Sequence, residues 1–153
     1  MAAKRERPYL EFNFLVDLGD GKTDGPDAGF QECSPIATSV AVAEYRNGND
    51  AENSVQKITG LNRANDVTLK RGIIESATLY NWFDAIRNGG VTQLQTVRIT
   101  LQSEDHSTIV ATWVLRNARP IRYVSGPLNA KGSDVALEEL TLAYERLEID
   151  DLT

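Results

Sequence analysis

Leu10-Glu11-Phe12-Asn13-Phe14-Leu15-Val16-Asp17-Leu18 places Leu10, Phe12, Phe14, Val16 and Leu18 at every second position. Successive side chains of a strand point to opposite faces, so this period of two marks a strand with one buried face. The alternate positions hold Glu11, Asn13, Leu15 and Asp17. Working outward, residues Gly19 to Asp27 are dense in turn formers and read as a loop. Phe30 to Tyr45 reads as extended, with Pro35 marking a bend or an edge because it cannot donate to a ladder. Within it, Thr38 to Tyr45 alternates valine with small residues, which suits close packing or a lining surface. Arg46 to Asn65 is polar and contains Asn47-Gly48-Asn49-Asp50 and Thr59-Gly60, so it reads as a long connection. Connections of that length inside a compact domain tend to be functional or disordered. Val67-Thr68-Leu69-Lys70 follows as a short strand.

The period then changes. Leu79, Trp82, Phe83 and Ile86 stand at i, i+3, i+4 and i+7, the apolar stripe of a helix that should pack on a sheet. Ser76 can cap its start and Gly89 its end. Beyond the helix, Val97, Ile99 and Leu101 alternate with polar residues. After the turn Ser103 to Ser107, Ile109, Ala111, Trp113 and Leu115 share a face, so Leu94 to Leu115 reads as a hairpin. Residues Ser125 to Ser133 form a second loop. Leu137 to Ile149 alternates but changes phase: Leu140, Leu142 and Tyr144 share one parity, Leu147 and Ile149 the other. One extra residue swaps the faces of a strand, so the slip predicts a bulge. The order β-β-β-α-β-β-β predicts a mainly β single domain, an antiparallel β-sandwich or split barrel with one flanking α-helix.

The chain has 153 residues, 41% hydrophobic and 25% charged, which suits one globular domain spanning 1–153. No apolar run reaches the ~18–20 residues of a membrane helix, and the basic N-terminus lacks the apolar stretch of a secretory signal. With a lone Cys33, the expectation is a soluble protein made in a reducing cytoplasm, without a membrane anchor. The net charge of −6 lies entirely in residues 134–153, with seven acids and one base, while the remainder is balanced. No cluster of Lys and Arg suggests a nucleic-acid footprint. The acidic C-terminal strand reads as a solvated edge.

Catalysis finds little support. His106, the only histidine, stands in a polar turn, and Cys33 in a strand reads as a packing residue. One His and one Cys cannot supply a zinc site. Gly21-Lys22-Thr23 lacks the upstream glycine and the following helix of a phosphate loop. Asp17, Asp20 and Asp24 do not have the spacing of a calcium loop. Glu138 and Glu139, adjacent in a strand, point to opposite faces. The chain reads as a non-enzyme without cofactor or metal, and its surface becomes the informative part. Six strands leave edges that a monomer must protect and a closed ring abolishes.

Several segments resemble the tail-tube family, the inner tube of contractile phage tails and phage-tail-like contractile injection systems. They are Pro8 to Val16, Ala28 to Glu32, Glu44 to Asn49, Lys57 to Leu61, Val67 to Gly72, Asn81-Trp82, Trp113 to Pro120, Leu128 to Ala130 and Val135 to Glu145. Their order and coverage carry the match. Cys33-Ser34-Pro35-Ile36 departs from a Ser-Gly-Leu turn, and Thr59 stands where proline is frequent. The resemblance implies hexameric rings stacked into a hollow tube, driven through a target envelope by a contractile sheath.

It also implies that the segment 46–61 joins neighbouring rings, with Arg46, Asn47, Asn49, Asp50, Glu52 and Lys57 as contacts. The partners it implies are further copies, the sheath, and baseplate and spike proteins, with a protein effector or DNA in the lumen. Thr96, Arg98 and Thr100 are candidate lining. Assembly would take place in the bacterial cytoplasm, and the particle would be released or membrane-docked. The alternatives are a first-ring subunit that joins tube to spike or baseplate, a secreted effector-carrying ring of type VI type, and a monomeric ligand-binding β-barrel.

Overall fold

The computed structural model describes residues 7–21, 29–74, 76–90 and 93–150. The chain forms β1 (Phe14–Asp17), β2 (Glu32–Cys33), β3 (Thr38–Tyr45), β4 (Gln56–Ala64) and β5 (Val67–Gly72). Helix α1 (Thr78–Arg87) follows, then β6 (Gln95–Gln102), β7 (Ile109–Ser125), β8 (Leu137–Ala143) and β9 (Arg146–Asp150). All strand pairings are antiparallel. The main sheet runs β1-β6-β7-β8-β5-β2, with β9 also on β7, and β3 and β4 make a separate two-stranded sheet.

The long strand β7 organises the main sheet. Its first part pairs with β6 and β9, its second with β8. Asn117 lies between them with φ 54°. Asn is among the few side chains that visit this left-handed region at modest cost. The residue shifts the pairing by one, so that Leu115 partners Val97 while Ala118 partners Gln95. Opposite Asn117 the neighbouring chain leaves β8 at Ala143 and resumes as β9 at Arg146, with Glu145 N–H donating to Arg116 carbonyl at 2.9 Å. The phase slip expected as a bulge within one strand is therefore a break between two strands.

One core joins the two parts of the sheet. Val16, Val97, Ile99 and Leu115 come from the first, and Val67, Leu69, Leu140 and Leu142 from the second. Each such side chain contributes roughly 1.5–3 kcal/mol on burial. Leu79 of α1 is buried among them, and Trp82 and Phe83 pack against the cluster, while Ile86 is half-buried outside it. The Trp82 indole N–H donates to Gln93 carbonyl at 3.0 Å. The helix starts at cap residue Ala77 rather than Ser76, with no side-chain cap bond. Ser76 Oγ bonds Thr78 Oγ1 at 2.8 Å and accepts Thr78 N–H at 3.4 Å. At the other end Gly89 takes φ 93°, its N–H donates to Ile86 carbonyl, and Gly90 N–H donates to Ala85 carbonyl. These two bonds are those of a Schellman ending.

At the far end of the second half the core becomes polar. Arg71 Nε lies 2.6 Å from Glu138 Oε1 with both side chains buried, and Tyr123 hydroxyl donates to the other carboxylate oxygen. The Arg71 guanidinium also stands 5.8 Å from the Phe30 ring centre.

Three other expectations change. The first strand shortens to Phe14–Asp17, and Leu10 and Phe12 are exposed, because residues 8–12 have no ladder partner. Residues 34–37 around Pro35 break the expected Phe30–Tyr45 strand into β2 and β3. Among the described residues nine strands replace the six counted: Phe30–Tyr45 and Leu137–Ile149 each divide in two, and Gln56–Ala64, expected as loop, is strand β4. Most of the expected Gly19–Asp27 loop lies outside the described residues.

Candidate assembly surfaces

The β3–β4 ribbon is the least protected part of the fold. Every residue of β3 is exposed, and every residue of β4 except Ala64. The pairing runs from Thr38↔Ala64 to Tyr45↔Gln56, with an irregularity between Val40 and Val42 that leaves an extra residue on β4 beside Ala41. Gly60 lies there, 3.5 Å from Ala41 carbonyl measured from the Cβ it lacks. The irregularity splits the apolar period of β4: Ile58 and Leu61 are three apart, and this is why the sequence did not read as a strand. Val40, Val42, Tyr45, Ile58 and Leu61 all remain more than half exposed. An isolated two-stranded ribbon is at best marginal in water, and this one is exposed on both faces.

The ribbon's root is tied down. Ala37 carbonyl accepts Asn65 N–H at 2.9 Å and Tyr144 hydroxyl at 3.2 Å. Tyr144 sits at the break between β8 and β9 and is nearly buried.

The ribbon's tip is built by Arg46. Its Nε donates to Glu52 carbonyl and its Nη2 to Asp50 carbonyl, each at 3.1 Å, and Nη2 also reaches Asn53 Oδ1 at 3.5 Å. Asn47 N–H donates to the Asp50 carboxylate at 3.0 Å, and Asp50 N–H returns to Asn47 carbonyl. Arg46, Asn47 and Asp50 are thereby brought together and spend these groups within their own loop. Glu52 joins through its backbone, Asn49 lies in the same turn, and Lys57 stands on β4 opposite Glu44.

A second surface lies on β6, β7 and β9. Arg98 and Thr100 share the outer face with Thr112, Arg116, Glu148 and Asp150 by register. Arg116 donates twice to Glu148, at 3.0 and 3.2 Å, and Arg98 lies 3.7 Å from Asp150. Other C-terminal acids are matched in the same way: Glu138 to Arg71, Glu139 to Lys70, Glu145 to Arg119. Sequence alone does not show these cations because they come from distant strands. Among the described acids of 134–150, Asp134 alone has no such partner. At the margins, β1 and β2 end the sheet path and β9 pairs only with β7, so main-chain edges stay open among the described residues.

The candidate chemical groups serve local structure. Cys33 is half-buried; burial, then Glu32, pushes its thiol up to about 11, far from a nucleophile's range. His106 Nδ1 lies 3.1 Å from Gln102 Oε1 in an exposed turn. That turn is held by Asp105, whose carboxyl is kept well below the usual range by hydrogen bonds from Ser107 and Ser103. Asp17 Oδ1 accepts Gly19 and Gly21 N–H, each at 2.9 Å. Lys22, Thr23 and Asp24 lie outside the described residues. No group of three His, Cys, Asp or Glu that could hold a metal occurs among the described residues, and no helix there is long and apolar enough to cross a membrane.

The described residues thus form an antiparallel body, one helix and a ribbon exposed on both faces. The family model of the T4-like virus tail tube protein gp19 matches residues 10–148, and the chain belongs to that family. A chain of the anti-feeding prophage (AFP) baseplate, solved with 6-fold symmetrisation, is similar at 26% identity and TM-score 0.82, over 97% of this chain and 99% of that one. A chain of the PVC sheath–tube complex, an extracellular contractile injection system in the extended state, matches at 26% identity and TM-score 0.82, over 95% and 93%. A chain of the PVC sheath/tube terminator matches at 26% and 0.83, over 95% and 98%. No curated protein sequence matches. The protein is a tail-tube protein of contractile phage tails and extracellular contractile injection systems, a structural component and not an enzyme. It is thus part of a phage tail or phage-tail-like particle, and the monomeric ligand-binding barrel is set aside.

Proposed function

We propose that copies of this chain close into hexameric rings, and that the rings stack into a hollow conduit driven through a target envelope by sheath contraction. The observation that carries this reading is the β3–β4 ribbon, exposed on both faces in a chain of the tail-tube family. Open edges at β1 and β9 suit lateral pairing between neighbours, because main-chain N–H and C=O groups there await partners. The 6-fold symmetrisation of the similar AFP assembly supports the ring number. In this reading the tip residues Arg46, Asn47, Asn49, Asp50, Glu52 and Lys57 meet the next ring. Each exposed polar contact is worth ~0–1 kcal/mol, and repetition around the ring makes the sum strong.

The face of Thr96, Arg98 and Thr100 would line the lumen, along which a protein effector or DNA passes. Sheath, baseplate and spike proteins are the outer partners, and assembly takes place in the bacterial cytoplasm before the particle is released or docked. The match to an AFP baseplate chain along nearly its whole length favours a second role, the first ring that joins tube to spike. Electron microscopy of the purified protein tests the reading: stacked rings or tubes support the main subunit, and single rings an initiator or a secreted carrier. Monomers at every concentration refute it.

A further inference from the structure

Asn-Gly occurs twice in the chain, at 47–48 and at 88–89. In this dipeptide the glycine main-chain nitrogen can attack the preceding side-chain amide carbon, because glycine carries no Cβ to hinder the approach. Asn47 and Asn88 are both exposed. The fold treats the two pairs differently. At the end of α1, Gly89 N–H donates to Ile86 carbonyl at 3.2 Å and Asn88 N–H to Asp84 carbonyl at 3.1 Å. The attacking nitrogen is thus tied into the helix ending, with Gly89 held at φ 93°. At the ribbon tip, Asn47 opens a turn that Asp50 N–H closes on its carbonyl at 3.1 Å. Gly48 follows with nothing within 4 Å of the Cβ it lacks. Among the described residues its N–H has no acceptor.

A second feature aims the reaction at Asn47. The Tyr45 hydroxyl donates to Asn47 Oδ1, the oxygen on which negative charge gathers when a nucleophile adds to Cγ. A donor placed there stabilises that charge as an oxyanion hole does. No donor reaches the Asn88 side chain among the described residues. Asn47 N–H meanwhile donates to the Asp50 carboxylate at 3.0 Å. Main chain and side chain of Asn47 are therefore both held, while the neighbouring nitrogen stays open.

We propose that Asn47 is a self-modification site, converting in the unassembled subunit to aspartate and isoaspartate with water as the co-reactant. Gly48 nitrogen gives its proton to solvent base and bonds to Asn47 Cγ. The Cγ–Nδ2 bond breaks, and Nδ2 takes up a proton and leaves as ammonia, so that a cyclic succinimide remains. Water then adds to one of the ring carbonyls. Opening at Cγ gives aspartate; opening at the main-chain carbonyl gives isoaspartate, whose backbone runs through Cβ and Cγ. Nothing is oxidised or reduced. Either product sets a second carboxylate beside that of Asp50, and isoaspartate also lengthens the turn that Arg46 braces. The chemistry does not depend on how copies associate.

The folded full chain is kept warm at mildly alkaline pH over days, and its peptides are sequenced by mass spectrometry. Conversion adds one mass unit, and an isoaspartyl methyltransferase labels the isoaspartate. Conversion at Asn47 should run about tenfold faster than at Asn88, roughly what freeing one main-chain hydrogen bond costs. In denaturant the two sites, being the same dipeptide, should convert at similar rates. Tyr45 is half exposed, so Tyr45→Phe leaves the core untouched. That variant should slow Asn47 severalfold and leave Asn88 unchanged. Equal rates at the two sites in the folded protein overturn the proposal. An Asn47 rate unmoved by Tyr45→Phe overturns it as well, and so does a difference that persists in denaturant, since the fold would then not be its cause.

Discussion

Tyr144 hydroxyl donates to Ala37 carbonyl at 3.2 Å across 107 residues of sequence, and that bond ties the root of the ribbon to the break between β8 and β9. The same carbonyl accepts Asn65 N–H, so the two strands of the ribbon and the body meet at one oxygen. Orientation of the ribbon thus depends on the fold's second sheet half. Tyr144→Phe removes one donor and leaves the carbonyl satisfied by Asn65. The expected cost is about 0.5–1.5 kcal/mol in urea unfolding, with faster hydrogen exchange at ribbon amides than at β5 or β8. Unchanged exchange in the ribbon would show that the root is held by other contacts.

Alkaline pH should act at the same place. Burial raises the Tyr144 phenol above its ordinary value near 10. A group raised in the folded state contributes stability that is complete below its unfolded value and is lost as pH climbs through the folded one. Melting temperature should fall above pH 10, more steeply in the unmodified protein than in Tyr144→Phe. Tyr123, raised chiefly by burial and also by Glu138, accounts for part of the slope that persists in the variant. Parallel curves for the two proteins would remove Tyr144 from the account.

Glu138→Ala should be the most damaging single substitution of a charged residue in the chain. Arg71 and Glu138 are both buried, 2.6 Å apart. Removing one partner of such a buried pair is costly, up to about 3–5 kcal/mol. Denaturant midpoints report the loss. Glu138→Gln keeps hydrogen bonding to Arg71 and should cost less than Glu138→Ala; equal costs would point to packing rather than charge.

Arg46→Ala dissolves the ribbon tip without touching the core. Three bonds to Glu52, Asp50 and Asn53 disappear, all at the surface. Domain stability should change by less than about 1 kcal/mol, since surface substitutions of this sort are mild. Tube yield should drop severalfold at equal concentration. Tubes at full yield would take the tip out of the contact between rings.

Cys33 should resist thiol reagents in the native state. With its thiol pushed up to about 11, roughly one molecule in a thousand carries the thiolate at pH 8. Ellman's reagent should react slowly with the folded protein and within seconds after denaturation. Rapid native labelling would show that the segment around β2 opens.

Where one face of a strand meets the core, the fold is legible in the sequence. Phe14 and Val16, Val97 and Ile99, and Leu140 and Leu142 alternate because a pleated strand sends every second side chain inward. Leu79, Trp82 and Phe83 betray the helix by the same logic at another period. Legibility failed where neither face is buried. In β4 the polar residues carry no alternation, and the irregularity beside Ala41 splits what apolar signal remains.

From composition and order alone, this chain declared a mainly β domain with one helix and an acidic end, since hydrophobic period and residue chemistry are local properties. Only the folded arrangement matched Glu138, Glu139, Glu145, Glu148 and Asp150 to cations on other strands and left Asp134 over. It also turned a polar connection into the β3–β4 ribbon. Those relations are made by pairing between strands far apart in sequence, and a linear pattern does not contain the register that creates them.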